Sequence, residues 1–233
     1  GRMPPPNWIG ADITKENDVP FSDGNILSCV MELSSVQPAA VSGLSKREGE
    51  RFQKLGKRRQ KSFLSARLCL KRLSRVLSDG DSVTPAPSIH TIDPDDVRPK
   101  CPLTDGTYPY FCSVSHDKRF VIAVASISRV GVDVERLTDK VVKSRRIYMN
   151  KDERALTDQS PLGKTGASLR VWSIKEAMAK AFDMTLAEAW GRVVVKEIGE
   201  TQGRVFLEGN EYVAIHHQVA DHVFTLVDTG CGT

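Results

Sequence analysis

The sequence predicts an α+β chain in two halves, on three observations. The order strand, helices, strand meander runs once before Ser128 and again after it. Long segments of helical period, Arg58 to Leu77 the clearest, lie between segments that alternate like strands. The 233 residues are 40% hydrophobic, enough for the core of one large domain or two small ones. The repeat is one of pattern, without visible identity between the halves. The expected organisation is an N-terminal arm at 1–24, a first half at 25–127 and a second at 128–233.

Ile26 to Leu33 is apolar enough for a strand, with Val30, Met31 and Leu33 as core residues. Ser42 to Ser45 opens a basic helical region. Within it Phe63, Ala66, Leu70, Leu73 and Leu77 share one helix face, and Arg67, Lys71 and Arg75 line a flank at spacings of four. Asp79 to Ser82 ends that helix, and Pro85, Pro87, Pro94 and Pro99 make the following stretch loop-rich, with room for one short strand at Ile89 to Ile92. Tyr110 to Ser115 and Phe120 to Ser126 read as strands joined by a turn at Ser115 to Lys118.

In the second half Val130 to Glu135 is a strand and Asp139 to Tyr148 a short basic helix. Asn150 is a good N-cap with Glu153 at the capping-box position, predicting a helix to about Leu156. Asp158 to Ser168, with Pro161, Gly163 and Gly166, reads as a mobile loop. A helix around Trp172 follows, then strands at Val193 to Ile198, Val205 to Leu207, Tyr212 to His216 and Val223 to Val227. Adjacent His216 and His217 point to opposite faces of such a strand, which argues against a three-histidine metal site with His222.

The net charge of +4 is unevenly spread: Lys46 to Arg75 carries twelve Lys/Arg against Glu48 and Glu50. Such a tract favours a polyanion, or is a solvated helix face. Five cysteines without a C-x-x-C pair fit a reducing compartment. No apolar run approaches the ~20 residues of a membrane helix, so the expectation is a soluble cytoplasmic protein.

Two motifs carry the chemistry. In Arg129 to Arg136 the strand period places Val130, Val132 and Val134 on one face and Gly131, Asp133 and Glu135 on the other. Two neighbouring carboxylates raise each other's pKa and call for a cation, and a hard divalent ion such as Mg2+ meets that need. The plainer reading is a solvent-facing edge strand paired with Arg129 or Arg136. In Val171 to Lys180, helical spacing puts Trp172, Glu176 and Lys180 on one face. Its plainer reading is a surface Glu/Lys pair beside a core Trp. Together the two motifs offer three carboxylates and one cation, a set suited to transfer of a phosphorylated group.

Val130-Gly131-Val132-Asp133-Val134-Glu135, followed about forty residues later by Trp172-Ser173-Ile174-Lys175-Glu176-Ala177-Met178-Ala179-Lys180, resembles the paired signature of the 4′-phosphopantetheinyl transferases. Phe111-Cys112-Ser113-Val114-Ser115-His116 sits where that family carries its Ser-His motif. The resemblance covers about Leu27 to Val227, and the length is similar to the surfactin-synthetase-activating type. It implies two similar α+β halves related by a pseudo-two-fold, with coenzyme A in the cleft between them. The implied reaction is attack of a carrier-protein serine on the β-phosphate of coenzyme A, releasing 3′,5′-ADP. On that resemblance Asp133, Glu135 and Glu176 hold Mg2+, Glu176 is also the candidate base, and Lys180 stabilises charge on the phosphates. Ser115 and His116 bind cofactor phosphates, with Arg51 and Arg98 or Lys100 facing the 3′-phosphate.

The implied partners are coenzyme A and apo acyl or peptidyl carrier protein domains of fatty acid, polyketide or nonribosomal peptide biosynthesis. The protein is expected to be a monomer, without nucleic acid or membrane. Arg145-Arg146 and Met149 are candidates for contact with the carrier. Asp117 after His116, and Phe182 to Leu186 without glycines, depart from the family pattern. The alternatives are a metal-dependent nuclease, against which Lys175 and Glu176 lie on a helix, and a non-catalytic nucleic-acid-binding protein using Lys46 to Arg75. Against the latter, only Phe52 and Phe63 are interleaved with those charges.

Overall fold

The computed structural model describes residues 26–78 and 84–230 of the chain, which divides into two units, Gly1–Ile127 and Ser128–Thr233. The arm expected at 1–24 and the helix stop expected at Asp79 to Ser82 lie outside the described residues. Helix and sheet are mixed in both units. No helix among the described residues is long and apolar enough to cross a membrane.

The first unit runs β1 (Ile26–Glu32), α1 (Lys46–Gln53), α2 (Lys57–Leu77), β2 (Ile92–Asp93), β3 (Asp96–Pro99), β4 (Phe111–His116) and β5 (Phe120–Ser126). β5 is the middle strand of an antiparallel sheet ordered β1-β5-β4, and is buried along its whole length. Alternate residues Leu27, Cys29 and Met31 of β1 and Val121, Ala123 and Ala125 of β5 pack on Ala66, Cys69, Leu70, Leu73 and Leu77 of α2. Phe63, expected on this face, is only half-buried and lies under the Arg67 guanidinium at 5.2 Å. Strand pairing begins at Ile92 rather than Ile89, because Ile89 N–H closes a tight turn onto the Ala86 carbonyl.

Part of the basic tract is internal. Lys71 is buried, 2.6 Å from Glu48, and donates to the Ala86 and Ile89 carbonyls at 2.7 and 3.0 Å. Arg67 donates to the Thr91 carbonyl and Arg75 to that of Thr84. These three members of the tract expected to face a polyanion or solvent therefore tie α2 to the segment after it. Burying Lys71 costs hydration that only close oxygens can replace.

The second unit runs β6 (Val130–Arg136), α3 (Lys140–Lys143), α4 (Arg145–Tyr148), α5 (Lys151–Gln159), α6 (Gly163–Ala181), α7 (Leu186–Arg192), β7 (Val193–Ile198), β8 (Gln202–Leu207), β9 (Asn210–Val219) and β10 (His222–Asp228). The sheet is antiparallel, ordered β6-β10-β9-β8-β7. Leu169, Val171, Ile174, Ala177 and Met178 of α6 fill the core with Val193, Val195, Val205, Val223 and Val227.

Two expectations change here. The basic helix at 139–148 is two short helices that break at Ser144. The loop expected at Asp158 to Ser168 is mostly helix: α5 extends to Gln159, Gly163 turns the chain at φ +79°, and α6 begins there. Ala167 and Ser168 are fully buried, and Arg170 donates to the Gly166 carbonyl, so tertiary contacts outweigh the weak helix propensity of that stretch. The capping box of Asn150 and Glu153 is present, and a second, Thr185 with Glu188, starts α7.

Candidate active site

The site in the second unit rests on the close approach of β6 and α6. A Cβ at position 131 would collide with the Ala177 carbonyl oxygen, so only glycine lets the strand lie against the helix backbone here. That contact brings the Asp133 and Glu135 face of β6 onto the Trp172, Glu176 and Lys180 face of α6. The solvent-facing edge-strand reading is thereby corrected: β6 ends its sheet, yet Val130 to Val134 are buried, Asp133 among them.

Trp172 Nε1 donates to Glu135 Oε1 at 3.1 Å. Its ring stands edge-on to Tyr148 at 5.1 Å and tilted against Trp190 at 6.0 Å, which holds the indole N–H on the carboxylate. Lys180 Nζ donates to the Val132 carbonyl at 2.9 Å and lies 3.8 Å from Asp133 Oδ1. Burial, then the Asp133 charge, pushes Glu135 up to about 8, against the opposing Trp172 hydrogen bond. The same causes, burial first and Asp133 second, raise Glu176 to about 7, with Lys180 opposing. Lys180 and the Trp172 indole N–H thus face a cluster of three carboxylates, Asp133, Glu135 and Glu176.

Lys175, the other lysine of the motif, points the opposite way. Its Nζ is buried and donates to Glu153 Oε1 at 2.9 Å and to the Tyr148 and Trp190 carbonyls at 2.6 and 3.2 Å. Glu153 also receives Val195 N–H at 2.9 Å, so the capping residue clamps α5, α6 and β7. A capping-box signal alone does not reveal that second role.

As it stands, no group of three or more His, Cys, Asp or Glu among the described residues is gathered as a metal-holding cluster. The chemistry of the donor set nevertheless suits a hard divalent cation: three carboxylates, two of them lifted toward neutrality by burial and by Asp133. Of the histidines weighed for a metal, buried His216 sits 2.8 Å from Thr225 Oγ1, with its basicity pushed down to about 3 by burial and Arg170, and His222 contacts Asp221.

In the first unit the remaining candidates separate. Ser115 is buried in β4, whereas exposed His116 lines a cavity of about 760 Å3 with Lys57, Arg58, Arg59, Lys61 and Lys118. Arg98 and Lys100 line another cleft, of about 270 Å3, with Tyr108 and Cys112. Both contact Asp96, at 2.9 and 2.8 Å, and these bonds hold its carboxyl well below the usual range. Exposed Arg51 is not among the residues lining either cavity. The basic residues at the start of α2 are thus the ones grouped with His116, and they stood in the sequence only as part of a long basic tract.

No curated protein matches the chain. The segment at residues 129–227, which contains Asp133, Glu135, Trp172, Glu176 and Lys180, matches the model of the 4′-phosphopantetheinyl transferase superfamily.

Proposed function

We propose that this protein is a holo-carrier-protein synthase that transfers the 4′-phosphopantetheine group of coenzyme A to a serine of an apo acyl or peptidyl carrier protein, in the manner of the surfactin-synthetase-activating type. The observation that carries the reading is the meeting of Asp133, Glu135, Glu176 and Lys180 across β6 and α6, inside the segment that matches the superfamily. Each unit also has a strand, a long helix and a later strand pairing antiparallel with the first, which supports a plan of two similar halves.

Asp133, Glu135 and Glu176 would hold Mg2+, which when bound supplies neutralisation of charge on the pyrophosphate. Glu176 would also accept the proton of the carrier serine, directly or through water. The serine oxygen then bonds to the β-phosphorus, the phosphoanhydride P–O bond breaks, and 3′,5′-ADP leaves with the electron pair. Lys180 would share its charge with a phosphate oxygen, and the Trp172 indole N–H holds Glu135. Ser115 and His116 would receive cofactor phosphates, with Lys57 to Lys61 beside His116 and with Arg98, Lys100 and Arg51 as further phosphate contacts. Nuclease chemistry is not favoured, since Lys175 is committed to Glu153 and the core carbonyls.

The test is mass spectrometry of apo carrier proteins incubated with this protein, coenzyme A and Mg2+. Carriers gaining one phosphopantetheine group on serine support the reading. No gain on any acyl or peptidyl carrier, with the protein folded, overturns it.

A further inference from the structure

Cys101 lies just past β3, next to Lys100, and Cys112 lies on β4, three residues before Ser115. Their sulfurs meet: Cys112 Sγ donates to Cys101 Sγ at 2.8 Å. Both are thiols. The two differ in access. Cys101 is 1% exposed in the core of the first unit, whereas Cys112 is half-buried and lines the cleft that also holds Arg98, Lys100 and Tyr108. We propose that Cys101 and Cys112 form an oxidisable dithiol that hydrogen peroxide, entering by this cleft, converts to an intramolecular disulfide.

The asymmetry sets the order of events. Burial, then the Cys112 contact, holds the Cys101 thiol well above its ordinary pKa, so Cys112 is the sulfur that reacts with solvent. Its sulfur bonds to one peroxide oxygen while the O–O bond breaks, leaving a sulfenic acid and one water. Cys101 Sγ then attacks the Cys112 sulfur; the S–S bond forms, the S–O bond breaks, and hydroxide leaves with the Cys101 proton as a second water. Two electrons pass from the two thiols to the peroxide. Pre-formed contact makes the second step intramolecular and faster than further oxidation of the sulfenic acid. The product bridges the segment after β3 to β4 and thus fixes two walls of the cleft. Cys29 and Cys69 are an internal contrast: both are buried, and no cavity described here is lined by them.

The test treats the reduced full-length protein with hydrogen peroxide, then blocks remaining thiols and digests with trypsin. Cleavage after Lys100 and Lys118 leaves both cysteines in one peptide, 101–118. The expected result is loss of two hydrogens from that peptide, reversed by dithiothreitol, while Cys29 and Cys69 remain blockable. In Cys101→Ser, Cys112 should instead gain oxygen, and in Cys112→Ser the peptide should resist. Oxygen gain on Cys112 of the wild type without hydrogen loss, or hydrogen loss persisting in Cys101→Ser, overturns the proposal. This mass readout does not depend on the transferase reading.

Discussion

Lys175 Nζ lies 2.9 Å from Glu153 Oε1, with the two side chains 1% and 0% exposed. The same device stands in the first unit, where Lys71 of the long helix meets Glu48 at 2.6 Å. In both, the glutamate is the third helical residue and completes the capping box that opens the preceding helix. One carboxylate thus closes a helix N-terminus and neutralises a lysine that would otherwise be an isolated buried charge.

Breaking either partner should therefore be severe. Lys175→Met is expected to cost about 3–5 kcal/mol, because Glu153 is left buried and charged. Glu153→Gln should cost a similar amount, and the double variant less than the sum of the two. Urea denaturation of the three variants measures the coupling; additive effects would mean that the pair is not energetically linked.

Glu176→Gln keeps volume and fold but removes the proposed base. Transfer should fall roughly 100-fold or more, the order expected for loss of a general base. Circular dichroism should stay like that of wild type, and turnover within a few-fold of wild type would reject the assignment.

Without divalent cation, the acidic cluster should make stability fall as pH rises. Glu135 near 8 and Glu176 near 7 stand above their ordinary 4.5, so the folded state keeps protons that the unfolded state releases. The stabilisation is complete below about pH 4.5 and is lost by about pH 8. Asp133→Asn removes the charge that, after burial, raises both groups, so it should flatten this slope relative to wild type and leave Tm equal or higher at pH 8. Tm measured across that range in chelator checks it, and a lower Tm at pH 8 would make Asp133 a structural ion-pair partner.

The carrier-facing expectation needs a narrower variant than the sequence offered. Arg145 is held 2.6 Å from Asp158, and Met149 is buried, whereas Arg146 is exposed beside Ile147, itself 65% exposed. Arg146→Glu should raise carrier KM several-fold with kcat and coenzyme A KM little changed, and added salt should mimic it. Steady-state kinetics at two ionic strengths decides this; a carrier KM indifferent to both would remove Arg146 from the docking surface.

For the cofactor, His116→Ala and Lys61→Ala should each raise coenzyme A KM by about tenfold, the cost of a charge-assisted phosphate contact. Arg51→Ala, which lies outside the His116 cavity lining, is expected to have a smaller effect. Equal effects of all three would place the phosphate nearer α1.

The sequence alone determined what depends on neighbours along the chain. Alternation in Val130 to Glu135 marks the strand, spacing of four marks the Trp172, Glu176 and Lys180 face, and Asn150 with Glu153 marks a helix start. The capping box at Thr185 and Glu188 was equally legible there, although α7 was not among the expected elements. Tertiary structure alone decided where those faces go. Gly131 reads locally as a weak strand residue, and its need for glycine is visible only against the Ala177 backbone. Lys175 and Lys180 are both lysines on one helix, yet one turns inward to Glu153 and the other toward Asp133. Asp158 to Ser168 looks like a loop until burial of Ala167 and Ser168 outweighs its glycines. Periodicity and capping are local and survive in one dimension; desolvation, charge pairing and close backbone approach depend on residues distant in sequence, and exist only once the chain has folded.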